Sequence, residues 1–220
     1  VHKFYDDRRE HLEILFPIVA HTMVAYWKKK YTCLNITTNV SDLFERAGVS
    51  DTVHLHGFLP EVYCTDCNKI YNIGYNRTYT TSSVTQNGII KENQSLNSNL
   101  FDYRSHGHGC SYFSHYRNRC PEKAKLFKPN IVFFGEMAPQ YDVLYKTLST
   151  CDHETVVIIV GASNIVVDFV SLCINLPSKM IIIDKNPNLL DNYSMHSDGV
   201  FICDDATSGM LKANFIIEDL

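Results

Sequence analysis

The stretch 155-TVVIIVGAS-163 decides how the chain is read. Val156 to Val160 are consecutive β-branched residues with no polar alternation. A strand of that kind is buried on both faces, which is the mark of a parallel sheet covered by helices. Gly161 lets the backbone turn sharply at its end, and Ser163 can cap a following helix or bind phosphate or ribose. Three further apolar runs stop at polar or glycine turns in the same way: 130-NIVFFGE-136, 179-KMIIIDKNP-187 and 199-GVFICDDA-206. Helical segments are expected between some of them, over about 139–150 and 165–175. Ligands of such sheets bind at the carboxyl ends of the strands. The polar ends NITTN (35–39), VGAS (160–163) and IDKNP (183–187) are therefore the expected binding edge. Asp184 can take a ribose hydroxyl pair there or be a solvated strand end.

Working toward the N-terminus, residues 3–15 read as a helix of mixed charge. Pro17 suits the first turn of a second helix over 17–29, with Ile18, Val19, Met23 and Trp27 on its inner side. A β-like run, 31-YTCLNITTN-39, is followed by a short helix over 42–47 that Gly48 closes. Between the two apolar parts lies a segment rich in Asn, Ser, Tyr, Thr, His and Gly, with Cys64, Cys67, Cys110 and Cys120. So few core residues call for a staple. Cys64-Thr-Asp-Cys67 offers two thiolates to one zinc ion, and Cys110 and Cys120 are the remaining thiols of the segment. The expected fold class is α/β: a Rossmann-like parallel sheet with a small zinc-ribbon-like inserted module. The sheet domain takes residues 1–63 and 124–220, and the insert 64–123.

Composition narrows the function. The 220 residues are 45% hydrophobic, enough for a sizeable core. Twenty basic against 24 acidic residues leave a net charge of −4, which argues against direct nucleic-acid binding. No apolar run approaches the roughly 20 residues of a membrane helix, and no signal peptide is visible. Eight cysteines, two of them as Cys-x-x-Cys, fit a metal site in a reducing compartment better than disulfides. A cytoplasmic monomer is expected. In 54-HLHGFLPEVYCTDC-67, His54 and His56 flank Leu55 on one face if this is a strand, and the residues alone leave open which one is special.

The order of these pieces resembles the sirtuin family of NAD-dependent protein deacylases, over roughly 4–63 and 120–210. Against the family's TQNVD-G-L-H-E-R-A-G stands 37-TTNVSDLFERAG-48, and against its LHG turn stands 55-LHG-57. Its KPDIVFFGE is matched by 128-KPNIVFFGE-136, and its GTS loop by 161-GAS-163. Its INLEP-like strand end is matched by 183-IDKNP-187, and its late alanine turn by 204-DDATSGM-210. The resemblance implies that His56 is the general base and that His54 is ordinary. It implies NAD contacts at Thr38, Asn39, Val40 and Ser41, at Gly161, Ala162 and Ser163, at Asp184, Lys185 and Asn186, and at Asp205 and Ala206. It implies that an acyl-lysine peptide pairs with a strand at Val132, Phe133, Phe134 and Gly135. The implied products are nicotinamide, O-acyl-ADP-ribose and free lysine. ADP-ribosyl transfer, NAD hydrolysis and a non-catalytic NAD-binding module are the rival readings.

The chain also departs from the family pattern. Thr38, Ser41, Ala162 and Asp184 stand where the family has Gln, Asp, Thr and Asn. Cys120 matches the third family cysteine, but the fourth position is Lys123, which is no ligand while charged. Cys110 is the best substitute, with His106, His108 and His115 as rivals. Family members begin with a strand and a GAGIS-type loop that are absent here. The chain is accordingly expected to be a fragment that lacks useful turnover by itself.

Overall fold

The computed structural model describes residues 2–64, 70–77, 127–162, 167–195 and 198–220. They fall into two compact units. The first holds the described residues within 1–16, 37–42 and 54–138, and the second those within 17–36, 43–53 and 139–220. This division follows the two main sheets. Most of the expected insert, 65–69 and 78–126, lies outside the described residues.

In the first unit, helix α1 (His2–Glu13) packs against an antiparallel sheet. That sheet is built from β3 (Gly57–Cys64), β4 (Ile70–Asn72) and β5 (Phe127–Ile131), in the order β4-β3-β5. α1 is the expected helix of mixed charge, and its Asp6 and Arg9 are fully buried. The Arg9 guanidinium donates to Asp6 Oδ1 at 2.5 Å, to the Leu59 carbonyl at 3.1 Å and to the Asn76 carbonyl at 3.1 Å. A buried charge persists only when paired and hydrogen-bonded, and removing one partner of such a pair costs about 3–5 kcal/mol. Arg9 thus ties the helix to β3 and to the chain after β4.

The second unit carries β1 (Ile36–Thr37) only at its boundary, together with α2 (Val19–Lys30), α3 (Leu43–Arg46) and the start of β2 (Val53–His54). The rest of it is α4 (Tyr141–Leu148), β6 (Val156–Val160), α5 (Phe169–Cys173), β7 (Lys179–Asp184), β8 (Val200–Cys203) and α6 (Ala206–Glu218). β6, β7 and β8 form the expected parallel sheet in that order, with Val160 opposite Ile183 and Asp184 opposite Cys203. Strand alternation sorts the central residues. Ile181 and Ile183 enter one core with Val24, Trp27, Met210 and Ala213, while Met180 and Ile182 enter another with Val170, Cys173 and Leu189. Each fully buried isoleucine contributes roughly 1.5–3 kcal/mol by leaving water.

Three expectations need correction. The inner side of α2 is Val24 and Trp27, with Met23 partly buried; Ile18 and Val19 are exposed. Ile18 is extended and precedes the helix, and of the first turn it is Ala20, not Val19, that packs against the core. Of the run 31–39, only Ile36 and Thr37 are strand. The strand expected over 130–136 as part of the parallel sheet instead spans Phe127–Ile131 and pairs antiparallel with β3. Pairing with β3 sets its limits, because β3 begins at Gly57, opposite Ile131.

Candidate functional site

Between β2 and β3 the chain makes a tight turn, Leu55–His56. Leu55 is buried, so the turn is anchored by its apolar member, and His56 is half-buried beside it. His56 is therefore a turn residue rather than the strand residue considered above. Its carbonyl accepts the Val132 N–H at 2.9 Å. Burial holds its imidazole pKa below the ordinary value, so the neutral, proton-accepting form is favoured.

Gly57 follows with φ +95°. A Cβ there would lie 2.1 Å from the Asn130 carbonyl oxygen and 2.8 Å from Ile131 Cα. Only glycine allows both the backbone angle and the approach of β5.

The loop 38–41 is fastened to the same turn. Leu55 N–H donates to the Thr37 carbonyl at 2.9 Å, and Leu59 N–H to the Val40 carbonyl at 2.7 Å. His54 Nδ1 bonds the Asn39 carbonyl at 2.8 Å, and Asn39 N–H donates to Thr37 Oγ1 at 3.0 Å. Asn39 is exposed, while Thr38, Val40 and Ser41 are half-buried.

On the other side of His56 lies the segment after β5. Val132, Phe133, Phe134 and Gly135 are not strand; they lead into a turn in which Phe134 is 97% exposed. Glu136 Oε2 accepts the Phe133 N–H at 2.9 Å and pairs with Lys128. The bond from Lys128, and then that from the Phe133 N–H, keep the Glu136 carboxyl below its ordinary pKa. The Lys128 ammonium sits 4.2 Å from the centre of the Phe133 ring, and Tyr5 stacks on that ring at 5.7 Å. Tyr5, Lys128 and Glu136 are site-building residues that sequence reasoning missed. Lys128 and Glu136 are the first and last residues of the quoted 128–136 motif, but nothing in the sequence joins Tyr5 to it.

The second unit gathers the remaining expected residues at the carboxyl ends of its parallel strands. Gly161 ends β6 with φ +65° and donates its N–H to the Ile183 carbonyl at 2.9 Å. Ala162 is buried, and Ser163 lies outside the described residues. Asp184 Oδ1 accepts the Asn186 N–H at 2.8 Å, a local turn that leaves Lys185 and Asn186 exposed. Asp204 N–H donates to the Asp184 carbonyl at 3.1 Å. Asp205 caps α6, accepting N–H bonds from Thr207 at 2.8 Å and Ser208 at 3.0 Å, and Ala206 is the first helical residue. Those backbone bonds, that from Ser208 foremost, hold its carboxyl below the usual range. Gly161–Ala162, Asp184–Asn186 and Asp205–Ala206 thus form one edge, as a doubly wound sheet requires of a nucleotide site.

The model of the Sir2 family matches residues 1–168. The chain belongs to the Sir2 family. An NAD-dependent protein deacylase of Campylobacter jejuni is 34% identical over 223 aligned positions, covering 98% of this chain and 75% of that protein. NAD-dependent protein deacylase 1 of Archaeoglobus fulgidus is 28% identical and covers 97% of this chain and 75% of its own length. Among solved structures, a Sir2 homologue–NAD complex superimposes with a TM-score of 0.67 at 22% identity, over 99% of this chain and 71% of that one. The last likeness establishes the Sir2 fold.

For this Sir2 chain the expected metal ligands are largely beyond view. Cys67, Cys110 and Cys120, with the rivals His106, His108 and His115, lie outside the described residues. Cys64 is the last residue of β3 and pairs in register with Phe127. Among the described residues no group of three or more His, Cys, Asp or Glu can hold a metal ion. No helix among them is long and apolar enough to cross a membrane.

The Gly57 contact is directly testable. Gly57→Ala places a methyl group into the main chain of β5 at an unfavourable φ, and a loss of more than about 3 kcal/mol is expected. Urea unfolding followed by circular dichroism measures it; an unchanged midpoint would show that β5 can retreat.

Proposed function

We propose that the protein is an NAD-dependent protein-lysine deacylase, releasing nicotinamide, O-acyl-ADP-ribose and free lysine. The observation that carries the reading is the joining of three elements by main-chain bonds. The His56 turn, the loop 38–41 and the turn after β5 meet within one unit, with a half-buried imidazole among them. The Campylobacter and Archaeoglobus relatives bear the deacylase name. Solved Sir2 structures hold acetylated and propionylated peptides.

NAD supplies, when bound, an electrophilic ribose carbon that becomes reactive as nicotinamide leaves. The residues present suit a dinucleotide: a glycine turn after β6 and exposed polar groups at Lys185 and Asn186, while the α6 N-terminus, its first amides taken by the Asp205 carboxylate, suits an uncharged base rather than a phosphate. Family resemblance assigns the nicotinamide-ribose side to Thr38, Asn39, Val40 and Ser41, and the rest to Gly161, Ala162, Ser163, Asp184, Lys185, Asn186, Asp205 and Ala206. His56 accepts a proton from a ribose hydroxyl as general base. Val132 to Gly135 receive the acyl-lysine peptide through main-chain hydrogen bonds, so selectivity for the flanking sequence is loose.

The test follows nicotinamide and deacylated peptide together, using the full-length protein with NAD and an acetyl-lysine peptide. His56→Ala should lower turnover by about 10²–10⁴. The wild-type acid limb should fall below pH about 6.5, because protonation silences the base and burial depresses its pKa. Nicotinamide without deacylated peptide would instead mean NAD hydrolysis or a different acceptor. NAD binding without either product would mean a binding module.

A structural zinc held by Cys64, Cys67, Cys110 and Cys120 belongs to the same proposal. Four thiolates suit a closed tetrahedral site, and the register of Cys64 with Phe127 brings the two ends of the segment together. Metal analysis should find one zinc per chain, and a chelator should lower the melting temperature. A metal-free preparation with the same melting temperature would refute it.

A further inference from the structure

The loop 38–41 is held to the His56 turn by main-chain bonds and by the ring of His54. Peptide carbonyls only accept hydrogen bonds, so the 2.8 Å contact to the Asn39 carbonyl requires the proton on His54 Nδ1. The ring is further fixed against Phe58, with centroids 4.7 Å apart and planes at 51°. Thr37, by comparison, is bonded through its own carbonyl and hydroxyl to Leu55 and Asn39. Val40 is bonded through its carbonyl to Leu59. Asn39 is the exposed crest of the loop, and its carbonyl reaches the turn through the His54 side chain.

We infer that His54 is a positioning residue that sets the backbone of Asn39 relative to His56. The reason is geometric. His54 is the last residue of β2, and His56 is two residues on, beyond buried Leu55. The strand that delivers the base therefore also delivers, through His54, a donor to the loop. If Asn39 is released, Thr38 to Ser41 keep their fastenings at Thr37 and Val40 but lose the one between them. This assignment rests on the deacylase reading for its kinetic consequence, though its structural consequence stands apart.

The experiment compares His54→Leu, which removes the donor, with His54→Asn, whose amide nitrogen can occupy the place of Nδ1. Hydrogen exchange over 38–42 and steady-state kinetics toward NAD are measured on the full-length protein. In His54→Leu, exchange of the loop should accelerate about tenfold and KM for NAD should rise about tenfold, with kcat within about threefold; a tenfold change corresponds to the loss of one hydrogen bond. His54→Asn should recover most of both. Unchanged exchange and KM in His54→Leu would overturn the inference. So would an equal defect in both variants that merely tracks a lowered melting temperature. A full-length wild-type protein inert toward NAD would refute the deacylase reading, and exchange alone would then decide the role of His54.

Discussion

The approach of β3 to β5 at Gly57 is the constraint on which the first unit depends. With a carbonyl oxygen 2.1 Å from where a Cβ would stand, the two backbones lie in contact. That contact aligns Ile131 with Gly57 and lets the next amide, that of Val132, reach the His56 carbonyl. From there the chain turns away, and Glu136 closes the turn on the Phe133 amide. The position of His56 and the shape of the turn that follows β5 are consequences of one glycine. Arg9 supports this from beneath, since the Leu59 carbonyl it holds belongs to the same strand.

The second unit reaches a comparable order by a different route. Its sheet is buried on both faces, so its strands need no side-chain hydrogen bonds and its specificity lies in their ends. There each polar group is committed locally: Asp184 to Asn186, Asp205 to Thr207 and Ser208, Asp204 to Lys212. Such commitments pre-shape the backbone before a ligand arrives, and pre-shaped sites lose less ordering entropy on binding. Asn186 Oδ1 likewise accepts the Asn188 N–H at 3.1 Å, while the Lys185 side chain is exposed at the rim.

What the sequence revealed follows from how local each signal is. β6 and β7 are legible because five and three consecutive β-branched residues leave no polar face to misread. The Gly161 turn and the 55–57 turn are legible because glycine marks them. The end of β5 is not, because 130-NIVFFGE-136 continues apolar past the last paired residue, and the limit comes from a partner strand some seventy residues earlier. Burial of Asp6 and Arg9 is hidden for the same reason: the Leu59 and Asn76 carbonyls that hold Arg9 are remote, and charge at i, i+3 on a helix usually faces water. The stacking of Tyr5 on Phe133 has no local trace either. The contact of His54 with Asn39 has no local trace, because the two lie fifteen residues apart.

The departures from the family pattern are better understood from these contacts than from the letters. Asp184 accepts the Asn186 N–H through Oδ1, a role that an asparagine oxygen performs equally well. The turn therefore survives the change, and what is added is charge. That charge joins Asp204 and Asp205 at the same edge, where Lys212 pairs with Asp204 and Lys185 lowers its pKa further. Two cations thus offset part of the acidic excess. Ala162 is different, for it is buried and brings no polar atom. A threonine hydroxyl in that place would need a partner, whereas alanine needs none and donates nothing to a ligand. Of the two changes at the sheet's edge, the one at 184 alters electrostatics while keeping the backbone. The one at 162 removes a donor, and any hydrogen bond the family makes there must be supplied by main chain or forgone.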